Sequence, residues 1–241
     1  MEKVRFEVIL NGKRLCIAGL DGYGVLLVTM VVATQLEPDR ANTEKEPHAL
    51  VFDINFGVGG LESSDSTGDQ HILWVNRTLQ EGDDVRIRIL PEGEHDPPAW
   101  TLADFESLCM NQDDNAKKDC EFPPDDPSIG EVIPGNVRLA VSNNGSPLCT
   151  AGIDGRGLIS VHISAVTHHP DCAKQLRTDG KSYKDRLSMG VRGLDDTRPE
   201  LRSALLWVPD KTLSPGDQVR VQLLPPGEYD PPTRSASPNK A

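Results

Sequence analysis

The stretch Gly82-Asp83-Asp84-Val85-Arg86-Ile87-Arg88-Ile89-Leu90-Pro91-Glu92-Gly93-Glu94-His95-Asp96-Pro97-Pro98 returns as Gly216-Asp217-Gln218-Val219-Arg220-Val221-Gln222-Leu223-Leu224-Pro225-Pro226-Gly227-Glu228-Tyr229-Asp230-Pro231-Pro232. In both copies alternate positions are apolar (Val85, Ile87, Ile89; Val219, Val221, Leu223), which is the period of a half-buried strand. Each copy then leaves through Gly-Glu-x-Asp-Pro-Pro. Proline donates no backbone hydrogen bond and biases its predecessor away from helix, so this motif closes a domain.

Outward from that stretch, the two halves stay in register at an offset of 133 residues up to Trp74 and Trp207. One inserted residue then makes the offset 134. Register held this long is the mark of a tandem duplication. Val4–Leu10 alternates like a strand, and Asn11-Gly12 is a hairpin signal because both residue types accept positive φ. Val137–Val141 and Asn144-Gly145 answer them. Short return strands follow at Leu15–Ala18 and Leu148–Ala151. The turns Gly19-Leu20-Asp21-Gly22 and Gly152-Ile153-Asp154-Gly155 lack the further oxygen ligands of a calcium loop.

The long strands Val25–Thr34 and Leu158–Thr167 differ in an instructive way. One face is apolar in both: Leu26, Val28, Met30 and Val32 against Ile159, Val161, Ile163 and Ala165. The opposite face reads Leu27, Thr29, Val31 in the first half and Ser160, His162, Ser164 in the second. An apolar face kept in only one copy calls for cover, from the linker, the other half or a partner. Later strands are expected at Leu50–Val58 and Leu187–Val191, and around the shared Leu-Trp-Val at 73–75 and 206–208. Gly57 and Gly190 coincide, as a bulge or close backbone contact requires. Thr101–Leu108 spaces apolar residues as a short helix does, capped by Thr101.

The expected architecture is therefore all-β: two tandem antiparallel β-sandwich or flattened-barrel domains related by internal duplication, with a short helix in the linker. Its boundaries are 1–98 for the first domain, 99–135 for an acidic Pro-rich linker, 136–232 for the second domain and 233–241 for a disordered tail. The shared Leu-Trp-Val, Gly-Asp-x-Val and Glu-x-Asp-Pro-Pro motifs resemble those of small uncharacterised bacterial β-rich proteins built from one such unit. The resemblance spans residues 4–98 and 137–232. It implies a domain of unknown function present twice, and it transfers no active site.

Net charge is −12, from 25 basic and 37 acidic side chains. Such a surface repels nucleic acid and anionic membranes. The charge is unevenly spread: residues 1–98 hold 9 basic and 17 acidic groups, 99–135 hold 2 and 9, and 136–241 hold 14 and 11. Lys174, Arg177, Lys181, Lys184, Arg186 and Arg192 concentrate the positive side. No apolar run reaches the ~18 residues of a membrane span. Met1–Phe6 alternates from the start, unlike a signal peptide, so a reducing cytoplasmic setting without disulfides is expected. Cys16 and Cys149, at matching positions, read as buried core thiols. Cys109, Cys120, His168, His169 and Cys172 lack metal-ligand spacing, so no metal or cofactor is expected.

None of the six histidines is common to both copies: His71 faces Ala204, His95 faces Tyr229, and His162 faces Thr29. What both copies keep is turns, core and an exit motif, so the reading leans away from catalysis. Three functions follow. The first is a protein-binding module, of immunity or inhibitor type, for a basic partner; its contacts would be Leu27, Thr29, Val31, Glu94, Asp96 and Trp100. The second is a small-ligand or carbohydrate sandwich using Trp100. The third is a metal-dependent hydrolase between the domains using His168, His169, Cys172 and acids of the linker.

Overall fold

The computed structural model describes residues 3–36, 50–64, 68–101, 137–169, 186–196 and 203–235. The first half supplies β1 (Val4–Leu10), β2 (Lys13–Ala18), β3 (Tyr23–Leu36), β4 (Leu50–Ser64), β5 (Gly68–Thr78), β6 (Asp84–Pro91) and β7 (Trp100–Thr101). The second supplies β8 (Arg138–Asn143), β9 (Ser146–Gly152), β10 (Gly157–Thr167), β11 (Arg186–Asp195), β12 (Ser203–Thr212), β13 (Gln218–Leu224) and β14 (Thr233–Ser235). They form two antiparallel sheets, one ordered β2-β1-β6-β13-β8-β9 and one ordered β14-β12-β11-β10-β3-β4-β5-β7. Neither sheet closes on itself, which removes the flattened barrel.

Each sheet runs through both halves, so the boundaries expected at 98 and 136 divide neither. The buried side chains of the two sheets form one cluster, with Phe6, Ile87, Leu139 and Leu223 from the six-stranded sheet and Leu26, Phe56, Ile159 and Met189 from the eight-stranded one. Thr101, expected as a helix cap, pairs with Ile72 in the edge strand β7. The rest of that expected helix lies outside the described residues. Thr233–Ser235, expected in a disordered tail, pairs with Ala204–Leu206.

The seams between the halves have a simple geometry. In the larger sheet β3 pairs with β10, and Thr29 lies opposite His162, its own counterpart 133 residues on. In the smaller sheet β6 pairs with β13, and Arg86 lies opposite its counterpart Arg220. Antiparallel pairing of a residue with its own counterpart places a local two-fold relation at that point. Bonds beyond the ladder obey the same relation: Gly82 N–H donates to the Leu223 carbonyl at 3.0 Å, and Gly216 N–H to the Ile89 carbonyl at 2.8 Å.

Two guanidinium groups facing each other across a seam repel. Asp84 relieves this. Its carboxylate accepts from Arg220 Nε at 2.8 Å and from Arg86 Nη2 at 2.8 Å. The hydrogen bonds from Arg220, reinforced by Arg86, hold the Asp84 carboxyl below the usual carboxylate range. Asp84→Asn should cost about 2 kcal/mol near neutral pH, the scale of lost charge-assisted hydrogen bonds. A group whose folded pKa is depressed contributes fully above its unfolded pKa and loses that contribution as pH falls through the folded one. The gap in urea-unfolding free energy between wild type and Asp84→Asn should therefore stay constant from about pH 5 to 8 and close below about pH 4.

The repeated motifs each have a physical task. Asn11 (φ 51°) and Gly12 (φ 78°) make the first hairpin, and Asn144 (φ 53°) and Gly145 (φ 76°) the second. Each Asn side chain also accepts from the start of the seam strand, Asn11 from Asp84 N–H at 2.9 Å and Asn144 from Gln218 N–H at 2.8 Å. The Asp of Gly-Asp receives the Asn amide at 2.6 Å in both halves. Asn-Gly and Gly-Asp, seventy residues apart, are two sides of one lock.

Candidate functional site

The exit motif is a strap. Asp96 Oδ2 accepts from Ile17 N–H at 2.7 Å, and Asp230 Oδ2 from Thr150 N–H at 2.6 Å. Trp74 Nε1 donates to the Asp96 carbonyl at 2.8 Å, as Trp207 does to that of Asp230. Arg5 reaches the carbonyls of Pro91 and Glu94, and Arg138 those of Pro225 and Glu228. His95 Nε2 lies 3.2 Å from Asp21, where Tyr229 OH donates to Asp154 at 2.9 Å. This accounts for the Asp-bearing turns and for the aromatic position that differs between the two halves. Glu94 and Asp96 hold the strap and do not line the groove described next.

On the outer face of the eight-stranded sheet, the first half carries an apolar groove of about 630 Å³. β3 contributes Val25, Leu27 and Thr29; β4 contributes Gly57, Gly59 and Leu61; β5 contributes His71 and Leu73; β7 places Trp100 opposite Leu73 as one wall. Leu27 and Thr29 are half-buried, and Val31 continues their face one pair further along, between Asn55 and Ser160. Two glycines give the groove its depth. The counterpart of Gly59 is Arg192, and that of Leu27 is Ser160, so the same place in the second half is filled and polar. Of the six residues expected at a binding face, the structure brings Leu27, Thr29 and Trp100 to the groove and Val31 beside it.

Across the seam the outer face changes character. Asp210 on β12 binds Arg186 and, at 2.6 Å, Arg192, both from β11, and His162 Nε2 stands 3.6 Å away on β10. Burial, then the charge of Arg192, pushes the His162 pKa down against the pull of Asp210, so the ring is neutral near pH 7. Arg186 and Arg192 hold Asp210 ionised, although desolvation works against it. In the sequence Arg186 and Arg192 stand out only as part of the positive side of the charge distribution. Their alignment beside the groove needed strand order, which carries no signature in one strand's alternation.

The thiols of Cys16 and Cys149 are buried. Burial, then the charge of Asp96 or Asp230, pushes each up to about 12, so both stay protonated and unreactive at neutral pH. Among the described residues no three His, Cys, Asp or Glu side chains gather as a metal-binding group. His169 packs edge-on against Tyr23 with centroids 4.9 Å apart; Cys109, Cys120 and Cys172 lie outside the described residues. No described helix is long and apolar enough to cross a membrane. No family model, curated protein or solved structure matches the chain.

Proposed function

We propose that this protein is a non-catalytic binding module that takes an apolar ligand in the groove walled by Trp100. One observation carries the reading: about 630 Å³ of space lined by Val25, Leu27, Leu61, Leu73 and Trp100, floored by Gly57 and Gly59. That size suits a small molecule, and a few polar groups at the margin (Thr29, His71) can orient it. A protein partner is the second reading. The continuation of the apolar face to Val31 on an open sheet favours it, and a net charge of −12 would steer a basic partner.

We further infer that the chain arose by tandem duplication of one unit that paired with itself, an arrangement the fusion preserved. The self-opposed pairs Thr29–His162 and Arg86–Arg220 support this, as do bulges at Val8/Ile9 and Val141/Ser142. The first copy then kept an apolar outer face while the second became polar, as one partner of a duplicated pair is free to do.

Titrating 1-decanol into the full chain tests the ligand reading. Tryptophan emission should shift to the blue and saturate, and Trp100→Phe should abolish the shift. Leu27→Ser, which installs the residue of the second copy, should weaken binding by about 1 kcal/mol, roughly fivefold. An unsaturable response, or one unchanged in both variants, would return the weight to a protein partner.

A further inference from the structure

The groove and the Arg186–Arg192–Asp210 cluster occupy one face of one sheet, and their spacing is short. Thr29, in the groove, lies directly opposite His162, and His162 directly opposite Gly190. Val25 faces Val166, which faces Arg186; Leu27 faces Ser164. His162 is thus one strand from the groove, roughly 5 Å, and the two arginines sit on the strand beyond, roughly 10 Å away. Between the groove and that strand β10 presents Ser160, which faces both Val31 and Arg192, then His162, Ser164 and Val166, none of them charged near pH 7.

Gly57 and Gly190 flank the central Thr29–His162 pair and keep that row low. A Cβ on Gly190 would stand 2.6 Å from His162 Cε1, and one on Gly57 3.3 Å from Thr29 Oγ1. Among the described residues the cationic end is not neutralised by its own partner, since two guanidinium groups meet one carboxylate and His162 is uncharged. Both arginine side chains are more than half exposed and within reach of a ligand. An apolar trough that runs into a net positive rim is complementary to a molecule with a long hydrocarbon chain and one anionic end.

We propose that the groove binds a free long-chain carboxylate. Its alkyl chain lies between Leu27, Leu61, Leu73 and Trp100, and its carboxylate lies beyond Thr29 toward His162, Arg192 and Arg186. This rests on the apolar-ligand reading above and adds the chemical class of the ligand. Arg192 then has two related roles: it fills the place that Gly59 leaves open in the first half, and it anchors the acid. The asymmetry between the copies becomes a division of labour, one half for the chain and one for the charge.

The test compares three probes of equal chain length on the full protein at pH 8 and low salt: decanoate, 1-decanol and decyltrimethylammonium. Decanoate should bind about tenfold more tightly than decanol, the scale of a charge-assisted contact at a partly exposed site, and the ammonium more weakly than either. In Arg186→Gln/Arg192→Gln the advantage of decanoate should fall within about twofold while decanol binding is unchanged; Arg192→Gln alone should lose part of it. Circular dichroism and the melting transition establish that each variant is folded. Equal affinity for decanoate and decanol in the wild type, or an advantage that survives the double variant, would overturn the carboxylate assignment and leave the groove reading intact. Failure of all three probes to bind would overturn both. Adsorption to anionic vesicles without binding of free decanoate would assign the rim to a membrane surface and overturn the free-ligand proposal.

Discussion

Gly24→Ala should lower the unfolding free energy by about 4 kcal/mol, the sum of backbone strain and an overpacked contact. Gly24 lies at the start of β3 with φ 148°, a region that L side chains avoid. A Cβ there would stand 1.9 Å from the Leu61 carbonyl oxygen, on the neighbouring strand of the larger sheet. That oxygen belongs to backbone paired on both sides, so it has nowhere to go. The counterpart Gly157 meets the same obstacle, 2.1 Å from the Leu194 carbonyl oxygen. Gly12→Ala separates the two causes, because Gly12 also has positive φ (78°) but nothing within 4 Å of a Cβ. It should cost only about 1 kcal/mol. Urea denaturation with an unchanged m-value reads both. Equal losses for the two variants would mean that the close approach to Leu61 contributes nothing.

Trp74→Ala should cost about 4 kcal/mol, as for other large aromatic residues cut out of a core. Trp74 is 7% exposed, and its indole N–H holds the strap through the Asp96 carbonyl. Trp74→Phe keeps much of the buried ring and loses the hydrogen bond, so its cost should be about 1.5 kcal/mol. Trp207 makes the same bond to Asp230 but is only partly buried, so Trp207→Ala should cost clearly less than Trp74→Ala. Thermal and urea unfolding measure all three. If Trp207→Ala were as damaging as Trp74→Ala, the strap hydrogen bond rather than burial would carry the stability.

Much of this fold was legible in the chain because alternation reports which face of a strand is buried. Val4–Leu10 forms β1 over its expected span, Asn11-Gly12 forms its hairpin, and the Glu-x-Asp-Pro-Pro exits close each half, as a carboxylate placed before prolines can. Alternation is silent about which strand lies at an edge, because a strand's neighbour is chosen by backbone hydrogen bonds that all residues share. The joining of the halves through Thr29–His162 and Arg86–Arg220 was therefore out of reach. So was β7: Trp100-Thr101 is too short to show a period, and Thr101 began a stretch with helical spacing.

The candidate site divides along the same line. Leu27, Thr29 and Val31 stood out because the second half is polar at the matching positions, and Trp100 stood out as a large aromatic with no matching position in the second half. Only the pairing of Leu73 with Trp100 and with Gly59 brings them to one groove. The replacement of Gly59 by Arg192 was readable at the 133-residue offset. Its meaning needed the sheet order, which sets that arginine beside the seam.

Methyl NMR of the full chain during a decanol titration locates the bound ligand on the sheet. The apolar-groove account predicts saturable shifts at Val25, Leu27, Leu61 and Leu73, while the core methyls of Leu26, Val28 and Val58 and the second-half methyls of Leu205 and Val208 stay in place. Shifts spread through the core, or concentrated in the second half, would contradict it.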